Sequence, residues 1–233
     1  MNDRIAAAEA AFKAGHFEEG ITLTEALLTD EPKSGNQIYR NFASMLFRRG
    51  RYEESARWAK TGADLYPRDG ELWNILGVSL RRLDRPQDAL KALNTGLKAQ
   101  PKNEALWQNK GNVLNDLKDG AAAIAIFNRL VRAAPTNPEF QRSLGRAHWN
   151  AGELDKAEMR YRLAARLRPD LIDAWLDLSA LQSDSKSPET AIATLDEAIA
   201  QNPAPRLKEA KAMALRRSNK LRQAEAYLLT VLE

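Results

Sequence analysis

The chain contains no cysteine among its 233 residues. This absence excludes disulfide bonds, thiol catalysis and thiolate metal sites. Histidine is almost as scarce, because His16 and His148 are the only two, and a histidine-based metal cluster is therefore excluded as well. We expect no metal and no cofactor. Both histidines are predicted to be structural, with His16 at a turn and His148 partly packed.

Long hydrophobic runs are also missing. No stretch approaches the roughly 18 uninterrupted apolar residues that a membrane span needs. The N-terminus, Met1 to Ile5 followed by alanines, lacks the basic start, apolar centre and cleavage site of a secretory signal. These absences predict a soluble, cytoplasmic protein that does not interact with membranes.

The sequence contains no run of residues with like charge. The 35 basic residues are mixed with 31 acidic ones, for a net charge of +4, and aromatic residues make up 7% of the chain. Single-stranded nucleic acid is held by cationic grooves with stacking aromatics, so this composition argues against it. The sequence also has no Gly-rich phosphate loop and no serine or histidine in the setting of a nucleophile. We therefore expect no catalytic site in this chain.

What the chain does contain is a repeat with a period of 34 residues. Its prolines recur at spacings of 35, 34, 34, 34 and 34 residues, at Pro32, Pro67, Pro101, Pro135, Pro169 and Pro203. Two series of small residues keep the same period, one through Gly77 and the other through Ala89. Three tryptophans, Trp73, Trp107 and Trp175, are in register with them and are expected to occupy equivalent packed environments.

Each repeat is predicted to be a hairpin of two helices. In the third repeat, leucines recur every three or four residues from Leu72 to Leu83, and the pattern restarts at Ala89 after a break at Pro86. Proline at the start of the second helix, as at Pro86 and Pro188, does no harm because the first helical residues have no N–H partner within the helix. The series predicts an all-α protein of about fourteen helices without strands.

The order Trp73, Leu76-Gly77, Leu80, Ala89, Leu93, Gly96 and Pro101 resembles the signature of the tetratricopeptide repeat family. The resemblance covers the whole chain, whereas the similar period of RNA-reading pentatricopeptide repeats comes without this pattern. It predicts one domain of seven repeats with atypical first and last members. Their boundaries are 1–35, 36–69, 70–103, 104–137, 138–171, 172–204 and 205–233.

The resemblance implies a right-handed superhelical solenoid whose first helices line a concave groove, where a partner polypeptide binds. Positions of the first helices that face outward from the hairpin carry arginines, asparagines and two aromatic residues. Arginine pairs with carboxylates, and aromatic and arginine side chains dominate binding energy at interfaces. The predicted partner-binding residues are Arg40, Asn41, Phe47, Arg48, Asn74, Arg81, Arg82, Asn109, Asn112, Arg142, Arg146 and Trp149.

The asparagines suggest how a peptide is held, because a carboxamide offers both a donor and an acceptor to a peptide backbone. Here the chain resembles the repeat domain of protein O-linked N-acetylglucosamine transferases, whose asparagine ladders hold substrate polypeptides. Ile75, Ser143 and Asp177 interrupt the ladder, so the asparagines are equally consistent with an ordinary solvated helix face. The lysine and asparagine pair with which another subfamily clamps a C-terminal carboxylate does not occur in any repeat.

We expect the chain to be the N-terminal recruitment arm of a longer, bacterial-type protein. In families with this architecture, such solenoids precede catalytic domains such as flagellin-modifying glycosyltransferases or sulfotransferases. The expected partner is an extended, acidic or flagellin-like polypeptide. The apolar Leu228, Val231 and Leu232 in the last predicted helix require cover, which predicts a following segment or self-association through this edge. The alternative is a free-standing scaffold for multiprotein assembly.

Overall fold

The structure is a computed structural model that describes the backbone of residues 2–232 and the side chains of residues 3–228. Within that range the chain forms fourteen α-helices and no strand, as predicted. In chain order they are α1 Asn2–Lys13, α2 Phe17–Asp30, α3 Asn36–Arg48, α4 Tyr52–Leu65, α5 Gly70–Arg82, α6 Pro86–Ala99, α7 Glu104–Asp116, α8 Gly120–Ala133, α9 Pro138–Asn150, α10 Leu154–Leu167, α11 Ile172–Ser185, α12 Pro188–Gln201, α13 Pro205–Arg217 and α14 Leu221–Leu232.

The described helices fall two to each predicted repeat, so the predicted pattern of helices is confirmed, and α5 pairs with α6 and α9 with α10 as hairpins. The chain divides into two compact units, Met1–Val113 and Leu114–Glu233, here called unit 1 and unit 2. Unit 1 contains α1 to α6 and most of α7, and unit 2 contains the end of α7 and α8 to α14. The single domain expected from the sequence stays a prediction.

Proline and short polar side chains mark the helix starts. Pro86 and Pro188 begin α6 and α12 as predicted. Asp69 accepts a hydrogen bond from the backbone N–H of Glu71, and Asp119 accepts one from that of Ala122, so each carboxylate caps a helix N-terminus. These local signals fix where helices begin, independently of the packing that follows.

The periodic prolines have a second role through their backbone carbonyls. Trp73, Trp107 and Trp175 each donate the indole N–H to the carbonyl of the proline six residues earlier, at 3.0, 2.8 and 3.1 Å. Tyr39 and Gln141, at the same repeat position, donate to Pro32 and Pro135. Each of the three tryptophans therefore makes the same kind of hydrogen bond, although Trp175 is fully buried and the other two are half-buried.

Small residues allow the paired helices to approach. A Cβ atom on Gly77 of α5 would lie 2.6 Å from Cγ of Leu93 on α6, and one on Gly145 of α9 would lie 2.8 Å from the ring of Tyr161 on α10. Leu93 and the ring of Tyr161 fill the space beside these two glycines, and both side chains are fully buried. This packing explains the period of the small residues.

Both histidines lie where the sequence places them. His16 immediately precedes α2 at the first hairpin turn, and His148 is buried at the end of α9 with Nδ1 2.6 Å from a carboxylate oxygen of Glu153. This contact with His148 and a second one with Lys156 lower the pKa of Glu153. Leu228 is 38% exposed, while the predicted need of Val231 and Leu232 for cover falls outside the described side chains.

Candidate functional site

The outward side of the first helices in unit 1 carries a pair of carboxamides. Nδ2 of Asn109 on α7 donates to Oδ1 of Asn74 on α5 at 2.8 Å, and both side chains are half-buried. Among the side chains that the structure describes, Nδ2 of Asn74 and Oδ1 of Asn109 make no further hydrogen bond. The pair therefore presents a donor and an acceptor side by side, which is the combination that a peptide group needs.

The other predicted asparagines differ in exposure. Asn41 on α3 is exposed and accepts a hydrogen bond from Gln37 within its own helix, at 2.6 Å. Asn112 on α7 is half-buried. The carboxamides of α5 and α7 are therefore linked directly, whereas that of α3 is held by its own helix.

The six predicted arginines fall into two groups. Three of them form ion pairs with acidic residues of the same compact unit: Arg40 with Asp69 at 3.4 Å, Arg142 with Asp177 at 2.7 Å, and Arg146 with Asp116 at 3.0 Å. Arg81 is half-buried and also interacts with other groups of the protein. Arg48 and Arg82 are exposed and form no ion pair with any residue in the described range.

The arginines therefore differ in how directly each of them can meet an acidic partner. The cause is the repeat itself, which places an acidic side chain of the next or preceding repeat beside an outward arginine, about one period away in the sequence. An arginine that already has a carboxylate must exchange it before it can bind another. Arg48 and Arg82 are free to bind an acidic group directly.

The two predicted aromatic contacts are partly used inside the fold. The ring of Phe47 lies 5.3 Å from that of Tyr52, across the turn between α3 and α4. Trp149 packs edge-on against Tyr161 at 6.4 Å, at the border of the core of unit 2. Both side chains are half-buried, so only part of each ring is available to a partner.

An apolar cleft of about 270 Å³, which we call the Arg48 cleft, opens between α1 and α3. Glu9, Asn41 and Arg48 stand among apolar lining residues, and neither Glu9 nor Arg48 has an ionic partner in the described part of the chain. The apolar lining is Ile5, Ala8, Phe12, Leu27, Ile38, Phe42 and Met45. Sequence reasoning identified Arg48 but missed the cleft, because the first repeat lacks the tryptophan and the Leu-Gly pair that mark its register.

In unit 2 the corresponding surface is polar and internally paired. Arg142 on α9 lies between Asp177 and Asp173 of α11, and Asp173 also pairs with Arg206 at 2.9 Å. Burial raises the pKa of the Asp177 carboxyl, although Arg142 opposes this shift. Burial opposes the charge of Arg142, but Asp177 raises the pKa of its guanidinium overall. This network joins α9 to α11 and leaves few unpaired groups for a ligand.

No helix in the described range is both long enough and apolar enough to cross a lipid bilayer. The described residues form a helical repeat protein, with two helices in each repeat and polar outward positions on the first helices. The tetratricopeptide repeat family model matches residues 5–70 and 76–138, more than half of the chain. The chain belongs to this family.

Solved structures agree with that assignment. MamA from Desulfovibrio magneticus RS-1, residues 41 to the end, is 26% identical, covers 70% of this chain and 93% of its own, and has a TM-score of 0.62. YrrB, described as a TPR protein with an unusual peptide-binding site, is 22% identical over 85% of this chain and 98% of its own, with a TM-score of 0.60. A tetratricopeptide repeat protein from Parabacteroides merdae ATCC 43184 is 13% identical, covers all of this chain and 98% of its own, and reaches 0.77. No curated protein matches the sequence.

Proposed function

We propose that this chain is a protein-interaction module that binds a polypeptide segment along the outward side of its first helices. The observation that carries the proposal is the linked pair Asn74 and Asn109, with its unused donor and acceptor side by side. Nδ2 of Asn74 can donate to the carbonyl oxygen of a main-chain peptide group, and Oδ1 of Asn109 can accept from a main-chain N–H, whatever side chains the segment carries. Family membership supports the general role of protein binding.

The Arg48 cleft supplies the second part of the proposed site. Its volume of about 270 Å³ and apolar walls suit one bulky side chain, while Arg48 can pair with a neighbouring carboxylate. Arg82 is the other arginine without an ionic partner in the described range. We therefore propose an acidic polypeptide with an apolar anchor. In this proposal, Arg40, Arg142 and Arg146 contribute only by exchanging their internal carboxylates.

We propose that the biological role of this binding is recruitment. The module holds a substrate polypeptide for a catalytic domain that follows it in a longer bacterial protein. In the leading version of the proposal the catalytic domain is a protein glycosyltransferase and the substrate is flagellin-like. The alternative is a free-standing cytoplasmic scaffold. Reading the open reading frame beyond codon 233 distinguishes the two, because the recruitment proposal requires a catalytic domain there and the scaffold alternative does not.

Peptide selection tests the binding proposal. An unbiased library of peptides of about twelve residues is selected against the chain, and the affinities of several unrelated binders are measured with Asn74→Ala and Asn109→Ala. Loss of a hydrogen bond to the backbone weakens every binder by a similar factor, about 5- to 12-fold for about 1–1.5 kcal/mol. Asn94→Ala on α6 is the matched control and retains affinity. Failure to select any peptide, or equal affinities in all three variants, contradicts the proposal.

A further inference from the structure

A second surface lies on the side of unit 1 formed by the second helices α2, α4 and α6. There, a cleft of about 500 Å³ opens between α4 and α6, with α5 as its floor, and we call it the Ala92 cleft. Trp73, Leu76, Leu80 and Leu83 form the floor, and Ala56 and Ala92 lie on the two walls. The neighbouring junction between α2 and α4 is built from the same repeat, so the two junctions can be compared position by position.

At the first junction an indole fills the space. Trp58 of α4 packs against Tyr39 and Phe42 of α3, with ring centroids 6.2 and 5.7 Å apart. Its Nε1 donates to the carboxylate of Glu25 on α2 at 2.9 Å. One period later the position of Trp58 is Ala92, and those of Tyr39 and Phe42 are Trp73 and Leu76. The Ala92 cleft is open because its covering indole is missing.

Ion pairs also tie the first junction together. Arg57 of α4 pairs with Glu25 of α2 at 2.6 Å, and Arg51 pairs with Glu18 of α2 at 2.9 Å. One period later the positions of Glu25 and Arg57 are Lys60 and Lys91, two like charges that cannot pair.

The second ionic link could form at the next junction but does not. The equivalents of Glu18 and Arg51 are Glu53 and Arg85, and Arg85 pairs with Asp88 instead, at 2.8 Å. No ion pair or side-chain hydrogen bond joins α4 to α6 in the part of the chain described. The walls of the Ala92 cleft are therefore held only through α5.

We propose that the Ala92 cleft is a docking site for a partner segment that presents a bulky aromatic side chain beside carboxylates. The first junction shows the chemistry of the occupant, because the equivalent space there is filled by an indole. The charge differs: where Glu25 accepts the indole N–H, the Ala92 cleft has Lys60, and Lys91 is on the opposite wall. Two lysines favour a carboxylate on the incoming segment.

Both lysines already form ion pairs within the protein, and these pairs are weak enough for a carboxylate of the partner to take their place. Lys60 bonds to Asp64 and Lys91 to Asp88, each within one helix turn and with the lysine more than half exposed. Exposed pairs of this kind contribute little to stability, so a carboxylate of the partner can replace them. This site is on the opposite side of the hairpins from the Asn74–Asn109 pair and does not depend on the function proposed there.

The test uses a blocked pentapeptide with a central tryptophan between two glutamates on each side, titrated into the isotope-labelled chain. Binding is expected to shift the indole N–H resonance of Trp73 and the amide resonance of Thr95, which also lines the cleft. The variant Ala92→Trp restores the covering indole and is expected to abolish those shifts while circular dichroism stays helical. Absence of shifts at millimolar peptide, or unchanged binding to a folded Ala92→Trp, overturns the proposal.

A variant with reversed charge at the two lysines tests the proposed site even if Ala92→Trp fails to fold. Lys60→Glu with Lys91→Glu is expected to weaken the acidic peptide about tenfold or more and to favour a peptide with lysine flanks. Lys98→Glu, an exposed change on the same helix outside the cleft, is the control and retains binding. Equal binding of acidic and basic peptides to the original chain overturns the proposal, because the lysines then do not select carboxylates on the partner.

Discussion

At the residue scale, the hairpin turns contain a recurring backbone conformation. The residue two positions after the end of the first helix has positive φ in six of the seven repeats. These residues are Gly15, Gly50, Asp84, Lys118, Gly152 and Asn219. Glycine adopts this conformation freely, while lysine at φ 61° is strained.

Replacing the strained lysine is expected to stabilise the protein. Lys118→Gly removes the Cβ clash of the left-handed conformation, which outweighs the added freedom of glycine in the unfolded chain by about 0.5–1 kcal/mol. The reverse change, Gly152→Lys, is expected to destabilise by a similar amount. Chemical denaturation measures both. A lower free energy of unfolding for Lys118→Gly shows that the turn conformation is set by something other than φ.

A second residue-scale prediction concerns Gly77, where a Cβ atom would lie 2.6 Å from Leu93. Gly77→Val overpacks the hairpin of α5 and α6 and is expected to cost about 1–3 kcal/mol. Gly77→Ala is expected to cost less, because alanine improves helix propensity while adding a smaller clash. Thermal unfolding of both variants checks the order, and an unchanged melting temperature for Gly77→Val contradicts it.

At the element scale, the sixth hairpin is the exception. Its first helix, α11, has 14 residues where α3, α5, α7, α9 and α13 have 13, and the turn residue Lys186 has φ −124°. Lys186 pairs with Glu158 of α10 at 2.8 Å, and Gln182 of α11 also donates to Glu158. These contacts hold the turn without the usual left-handed residue.

Glu158 gives this turn a dependence on pH. Burial opposes ionisation of Glu158, but the contacts with Lys186, Gln182 and Arg162 lower its pKa overall. A carboxyl whose pKa is lower in the folded state contributes stability above the unfolded value of about 4.3 and loses it as pH falls through the folded value. Glu158→Gln is therefore expected to lower the free energy of unfolding at neutral pH. Below about pH 4 the free energies of unfolding of the variant and of the original chain are expected to become more similar. An equal difference between the two at pH 7 and pH 3 contradicts this role.

The sequence predicted the helices well and the pairing of side chains poorly. Period and proline placement fix α5 and α6 because both are local signals, repeated many times. Arg142 could be placed on the outward side, but its carboxylate is 35 residues away and belongs to the next repeat. The link between Asn74 and Asn109 has the same separation. Such contacts require the register between hairpins, which composition and spacing do not contain.

Comparison between repeats would have revealed more than the pattern of any one repeat. The change from Trp58 to Ala92 is visible in the sequence, and so is the change from Glu25 and Arg57 to Lys60 and Lys91. The 34-residue period is recognised from positions that carry the same kind of residue in every repeat. The Ala92 cleft arises from positions that differ, and its openness follows only when the structure shows what the first junction uses to close itself.

At the scale of the whole molecule, stability in a repeat protein is approximately a sum over hairpins and their nearest neighbours. A terminal hairpin has one neighbour fewer, so amides of α1, α2, α13 and α14 are expected to exchange with solvent faster than those of α5, α6, α9 and α10. Hydrogen exchange followed by mass spectrometry measures this order. Uniform protection across all fourteen helices contradicts the nearest-neighbour account.

The central claim is that a polypeptide binds along the first helices of unit 1, and hydrogen exchange with and without a selected peptide tests it most directly. A peptide that engages Asn74, Asn109 and the Arg48 cleft is expected to slow exchange in α1, α3, α5 and α7, with α4 and α6 unchanged. The Asn109→Ala variant is expected to lose the protection of α5 and α7. Protection confined to α4 and α6, or none anywhere in unit 1 at saturating peptide, contradicts the account.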